Sequence, residues 1–212
     1  MEQPHQPPRD CPLCPRLAEF RHQNRSAFPD FFNNPVPSFG SLDAPLVIVG
    51  LAPGLKGANR TGRPFTGDYA GDLLYASLKR HGLARGNYQA RPDNGFELVG
   101  VRITNAVRCV PPGNKPLPVE IGTCRKFLAA EIPAMPNLRA ILALGQIAHN
   151  SVVSTLALKK KDHGFAHGAR RQSGALIILA SYHCSRYNTN TGVLTEAMFD
   201  AVVAAAKEAA GL

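Results

Sequence analysis

Residues 45–71, PLVIVGLAPGLKGANRTGRPFTGDYAG, open as a buried strand over Leu46 to Val49. The strand breaks at Gly50 into a loop carrying further glycines at 54, 57, 62, 67 and 71. So many residues without a Cβ after one strand end let backbone approach a ligand closely. The helix that should follow, Leu73 to His81, aims its amide-rich end at the same spot. Strand-loop-helix junctions at the carboxyl edge of an open α/β sheet are where that fold places ligands. The active site is expected here. The loop lacks the Gly-Lys-Ser/Thr ending of a Walker phosphate loop, and no G-x-G-x-x-G occurs, which argues against ordinary nucleotide cofactor binding.

Outward from this stretch, strand and helix signals alternate. A second strand is expected over Leu98 to Asn105, a turn at Pro111-Pro112-Gly113-Asn114, and a helix over Pro118 to Ala130. A third strand, Ala140 to Leu144, precedes a helix from Gln146 to about Leu158. A fourth, Leu176 to Ser181, precedes a final helix from Leu194 to Ala210 with Met198, Phe199, Val202, Val203 and Ala206 turned inward. The economical architecture is three-layer α/β/α, with a central, mostly parallel four-stranded sheet. On the amino-terminal side, Phe28 to Phe39 reads as an irregular packing loop, a short helix is expected over Arg16 to Arg21, and residues 1–10 read as disordered. Residues 11–212 should form one domain.

The 212 residues suit a single sizeable core, and no run approaches the length of a membrane span. No apolar signal region opens the chain, so a cytoplasmic monomer is the expectation. Lys and Arg outnumber Asp and Glu by 24 to 15, a formal charge of +9 that suits a polyanionic partner or simply a soluble basic protein.

Five cysteines stand at 11, 14, 109, 124 and 184. Cys11 and Cys14 have C-x-x-C spacing but precede every strand, which is the wrong place for thioredoxin-like chemistry. Disulfides are disfavoured in the cytosol. Cys11, Cys14, Cys109 and Cys124 brought together fit either tetrahedral zinc or an iron-sulfur cluster; the spread second pair leans toward the cluster. Either centre would fasten the amino-terminal segment to the domain.

The ends of three strands carry polar or aromatic groups with chemistry in them. Phe65 and Asp68 follow the first strand, Asn105 ends the second, and His183 ends the fourth in Ser181-Tyr182-His183-Cys184-Ser185. In a parallel sheet these ends share one edge. An aromatic face, a carboxamide and an imidazole make a pocket for a flat pyrimidine stacked on Phe65 and read by Asn105. Taken singly, each residue has a duller reading: Phe65 as core, Asn105 as a turn residue, His183 as a satisfied histidine.

Three motifs, GLAPGLKGANRTGRPFTGDYAG, ITNAVRCVPPGNKP and YHCSRYNTNTGVLT, resemble in order and length the family five, or type B, uracil-DNA glycosylases, and the resemblance runs from Cys11 to the final helix. The related family four enzymes carry an acidic residue where this chain has Leu51 and a proline where Cys184 stands. Those departures favour family five and speak against strict uracil specificity. The resemblance implies a four-iron four-sulfur (4Fe-4S) cluster on Cys11, Cys14, Cys109 and Cys124, and base excision from DNA containing uracil or other deaminated or damaged bases.

On this reading Gly50, Leu51, Phe65, Asn105 and His183 bind the base, and His183 donates to the anionic pyrimidine. Asp68 positions water or offsets the sugar charge, or else caps the following helix; Asn59 is the reserve candidate. Arg60, Arg63 and Ser185 would hold phosphates, with Arg186 or Tyr187 entering the duplex. No lysine occupies a matched motif position to form a Schiff base, so an intact abasic site is the expected product. Two rivals are a family four-like enzyme confined to uracil and a non-catalytic iron-sulfur DNA-binding or redox protein.

Overall fold

The computed structural model describes residues 4–92 and 95–212. In chain order the helices are α1 (Pro15–Ala27), α2 (Ala58–Thr61), α3 (Tyr69–Arg80), α4 (Pro118–Glu131), α5 (Gln146–Thr155), α6 (Arg186–Asn190) and α7 (Glu196–Ala210). The strands are β1 (Leu46–Gly50), β2 (Ala84–Arg85), β3 (Glu97–Leu98), β4 (Val101–Asn105), β5 (Ala140–Leu144), β6 (Arg170–Ser173) and β7 (Leu176–Ser181).

The main sheet runs β4-β1-β5-β7-β6. The first four strands are parallel, with Gly50 opposite Asn105 and Leu144 opposite Ser181. Because side chains alternate along a strand, β1 and β5 feed both faces. Leu46, Ile48 and Leu142 pack with Leu74, Leu78, Phe199 and Val203 of α3 and α7. Val47, Val49 and Ile141 pack with Leu128, Ala148 and Val152 of α4 and α5. Burial on both sides explains why these strands read as unbroken apolar runs, each large side chain contributing about 1.5–3 kcal/mol.

The three-layer arrangement is as expected, but among the described residues the sheet has five strands and not four. The added strand, β6, pairs antiparallel with β7 and consists of Arg-Arg-Gln-Ser. An edge strand needs no buried face, and its polar residues give no apolar alternation to read. The expected strand over Leu98 to Asn105 is also divided. Gly100 takes φ 67°, so Glu97–Leu98 turns away to pair with β2 and the sheet strand begins at Val101.

Residues 4–10 are laid against the domain where disorder was expected, and residues 1–3 of that expectation lie outside the described residues. His5 is buried, and Gln6 Oε1 accepts from Arg108 Nη1 and from the Ser38 amide, both at 3.4 Å. Arg108 belongs to a buried ionic nest. Glu131, fully buried, accepts from Arg102 Nε at 2.6 Å, Arg108 Nη2 at 2.5 Å and Thr104 Oγ1 at 3.0 Å. Burial alone would raise the Glu131 pKa, but Arg108, Ser38 and Arg102 hold it below the usual carboxylate value. Among the described residues no helix is long and apolar enough to cross a membrane.

Candidate active site

Three parallel strands end at one edge, and the loops leaving them deliver the site. Phe65 is in the left-handed region at φ 51°, a conformation costing a side-chain-bearing residue about 1–2 kcal/mol. Its surroundings impose it. Tyr75 Oη donates to the Pro64 carbonyl at 2.6 Å, and a Cβ on Gly71 would collide with the Phe65 carbonyl oxygen. The ring is thereby turned over the end of β1. A Cβ on Gly50 would lie 2.5 Å from Asn105 Oδ1 and 2.6 Å from Phe65 Cζ, so the glycine lets amide and ring close together.

His183 completes the group. Its ring centroid is 6.1 Å from that of Phe65, with the planes 29° apart. Asn188 Nδ2 donates to its carbonyl at 2.8 Å, and Gly145, held at φ 93°, lies beside its Cβ. Burial lowers the His183 pKa, and the neighbouring Asp68 carboxylate partly offsets that. The imidazole is therefore neutral near pH 7, with one N–H to donate.

These side chains line a cavity of about 640 Å³. Leu51, Ala52, Gly54 and Ala58 form part of its wall, and Asp68 and Asn105 supply polar groups. Asp68 does two things at once. Its Oδ1 caps α3 by accepting from the Gly71 amide at 3.0 Å, while Oδ2 lies against Gly57 and Gly54. Those two glycines admit the carboxylate where any Cβ would crowd it.

Two expected site residues lie elsewhere. Asn59 is buried away from the cavity, its amide donating to Asn33 Oδ1 at 2.9 Å to hold α2 against the 28–34 segment. Arg63 is also buried, and cannot meet a phosphate. Its guanidinium sits among the rings of Phe39, Tyr75, Tyr88 and Phe96 at 5.1–5.9 Å and donates to Thr66 Oγ1 and the Pro92 carbonyl. Ser185 and Arg186 line the cavity mouth, Arg60 is exposed on α2, and Tyr187 is 74% exposed on α6. The expected loop over Ser185 to Gly192 is thus largely a short helix, with Ser185 Oγ accepting from the Asn188 amide.

The sequence reading passed over Lys56, Tyr69 and Asn114, which also line the cavity. Arg186 lies over the Tyr69 ring at 5.4 Å. The only signal for Tyr69 is its place directly after Asp68 at a helix start; Asn114 looks like an ordinary turn residue and takes φ 57°.

Cys11, Cys14, Cys109 and Cys124 share one apolar cluster with Leu17, Val107 and Phe127, and all five cysteines are free. Among the described residues no three or more His, Cys, Asp or Glu side chains are grouped to hold a single metal ion. Burial pushes the Cys14 thiol up to about 11 and Cys109 to about 12, with neighbouring cysteines adding to both. Arg21 Nη1 donates to Cys109 Sγ at 3.6 Å and the Arg108 amide to Cys124 Sγ at 3.3 Å, contacts that suit sulfur carrying negative charge. Cys184 is apart from them, fully buried beside the Ala70 carbonyl.

A doubly covered, mostly parallel sheet whose strand ends close an aromatic ring, a carboxamide and an imidazole around one cavity defines an α/β protein with a candidate ligand site at the carboxyl edge of its sheet. The family model described as the uracil DNA glycosylase superfamily matches residues 37–207. A type-5 uracil-DNA glycosylase of Thermus thermophilus is 44% identical, the match covering 95% of this chain and 94% of that one. One from Mycobacterium leprae is 43% identical over 95% and 92%, and a type-4 uracil-DNA glycosylase of Pyrobaculum aerophilum 32% identical over 77% and 70%. The chain belongs to the uracil-DNA glycosylase superfamily.

Proposed function

We propose that this chain is a monofunctional DNA glycosylase that hydrolyses the N-glycosidic bond of uracil, and of other deaminated or damaged bases, in DNA and leaves an abasic site. The names of its type-5 relatives support the uracil reading. The observation that carries the proposal is the closure of Phe65, Asn105 and His183 around one cavity.

Cleavage builds positive charge on the sugar and negative charge on the departing base, and groups fixed in advance against both lower the barrier. An everted base stacks on Phe65 and meets the Asn105 amide, which offers one acceptor and two donor hydrogens. His183 donates its N–H to the pyrimidine oxygen that gathers charge. Asp68 Oδ2, turned into the glycine-lined side of the cavity, orients water or offsets the sugar. Arg186 or Tyr187, on the helix after His183, fills the space the base vacates.

The deciding assay uses a uracil-containing oligonucleotide with and without hot alkali. Cleavage only after alkali is the expected result. No excision of uracil, or of hypoxanthine and etheno-pyrimidines offered beside it, overturns the proposal. Strand scission without alkali would assign a Schiff-base role to a lysine such as Lys56 and overturn the monofunctional part.

The four clustered cysteines fit a 4Fe-4S centre by donor type, by their common apolar setting and by the donors aimed at two of the sulfurs. When bound it would supply a covalent fastening between the amino-terminal segment and the stretch from β4 to α4. Brown absorbance with about four irons per chain is the expected finding; zinc in a colourless protein would contradict it.

A further inference from the structure

Helix α1 turns inward a face that a core would not choose. Leu17, Arg21 and Asn24 are its buried residues, one to two turns beyond Cys14 at its start. An amphipathic helix ordinarily buries apolar side chains, and arginine is almost never fully buried without a partner. We propose that Arg21 is the internal counter-ion of the four-cysteine centre, a positioning residue that favours negative charge on the sulfurs and so governs how firmly metal is kept. This rests on the proposed reading of Cys11, Cys14, Cys109 and Cys124 as metal ligands.

Charge balance leads to this role. Arg21 is 2% exposed, and a guanidinium taken out of water is strongly unfavourable unless an anion stands beside it. Arg102 and Arg108 meet that need by sharing the Glu131 carboxylate. Arg21 has no such acid. Among the described residues no carboxylate pairs with it, and Asp10, which feels its charge, is exposed and bound to Arg25 at 2.7 Å. The guanidinium faces sulfur and carbonyl instead. Nη1 donates to Cys109 Sγ at 3.6 Å and Nη2 to the Cys11 carbonyl at 3.0 Å, while the buried Nε has no partner among the described residues. Neutral thiols would leave this cation uncompensated. Four thiolates around an iron-sulfur core or a zinc ion carry net negative charge and complete the balance.

Two further positive ends point the same way. Cys14 is the N-cap of α1, so the partial positive charge of a 13-residue helix falls at its position. The Arg108 amide donates to Cys124 Sγ at 3.3 Å. Glu120, the carboxylate felt at Cys14, is itself bound by Arg16 at 2.7 Å. Within this electropositive, apolar pocket Arg21 brings a full charge within hydrogen-bond reach of a ligand sulfur.

The test compares the full-length protein, purified anaerobically, with Arg21→Met, which removes the charge at similar length, and Arg21→Lys, which keeps it. Elemental analysis gives metal per chain, and competition with EDTA gives retention. Arg21→Met should hold metal about 10–100-fold less tightly, the range for an outer-shell partner, and Arg21→Lys should recover most of the loss. Where the metal is iron, a one-electron reductive titration supplies a readout that packing does not move. The Met variant should accept the electron about tenfold less readily, or about 59 mV lower, because a lost cation disfavours added negative charge. Unchanged retention and potential in Arg21→Met overturn the role, and equal losses in the Met and Lys variants reduce Arg21 to packing and overturn it too. If Arg21→Met does not fold, Arg21→Lys decides: metal held as in the parent supports the counter-ion, and metal lost overturns it. A parent protein that excises uracil without bound metal overturns the centre and its counter-ion together and leaves the glycosylase reading standing.

Discussion

Glu131 and His183 both place a titratable group inside the domain, and their neighbourhoods differ in one respect. The carboxylate of Glu131 is surrounded by partners from its own chain: Arg102, Arg108 and Thr104 all donate to it. Around the main cavity Phe65, Asn105, Asp68 and His183 are held just as firmly by backbone, but their working atoms face space. Saturated polar groups make architecture, and polar groups fixed yet turned toward a void make a site. The same contrast sorts the arginines. Arg63, enclosed by four rings, belongs to the first kind and Arg186, at the cavity mouth, to the second.

The contrast can be broken most forcefully at Glu131. Glu131→Ala should lower stability in urea by about 3–5 kcal/mol, because it strands two buried guanidinium groups; a loss under about 1 kcal/mol would show that the nest is not structural. At the cavity the currency reverses. His183→Ala should slow single-turnover excision about a hundredfold to a thousandfold, the cost of one lost oxyanion donor, with little change in the urea midpoint. Only a few-fold slowing removes His183 from the chemistry.

Asp68 stands on the border between the two kinds. Asp68→Ala should cost about 1 kcal/mol of stability through the lost helix cap, and Asp68→Asn, itself a good cap, should restore it. Excision that stays slow in the Asn variant assigns Oδ2 to the reaction; full recovery leaves Asp68 a cap alone. The smallest effects come from pH. Both groups bind fewer protons folded than unfolded, so stability rises with pH through each window. The His183 contribution is complete above its unfolded pKa of about 6.5 and is lost as pH falls toward its lowered folded value. That of Glu131 is complete above 4.5 and lost further down. Acid melts of His183→Ala should show a shallower first decline, His5 and His167, also lowered by burial, supplying the remainder; coincidence with the parent protein would refute the lowered His183 value.

Much of this was legible in the sequence because burial writes plainly. Ala140–Leu144 and Leu176–Ser181 occupy the expected positions, since strands covered on both faces must be apolar throughout. Parallel topology then obliges Phe65, Asn105 and His183 to share an edge. What stayed hidden was partnership across long separations. Arg63 looks like a phosphate ligand until Phe39, Tyr75, Tyr88 and Phe96 assemble around it, and Asn59 looks catalytic until Asn33 takes its amide. Residue type declares capacity, and only the fold tells whether that capacity is already used. β6 stayed hidden for another reason: an exposed edge leaves no hydrophobic trace.

The left-handed backbone at Phe65 carries a practical lesson for anyone wishing to alter the heterocycle this chain accepts. The ring's aim is set from behind, where Tyr75 tethers the Pro64 carbonyl and Gly71, lacking a Cβ, lets the Phe65 carbonyl pack close, so the aromatic floor behaves as an anvil and not as an adjustable jaw. Remodelling for a bulkier or differently substituted guest has to begin elsewhere in the lining, at a small residue such as Ala52, away from the support of the ring.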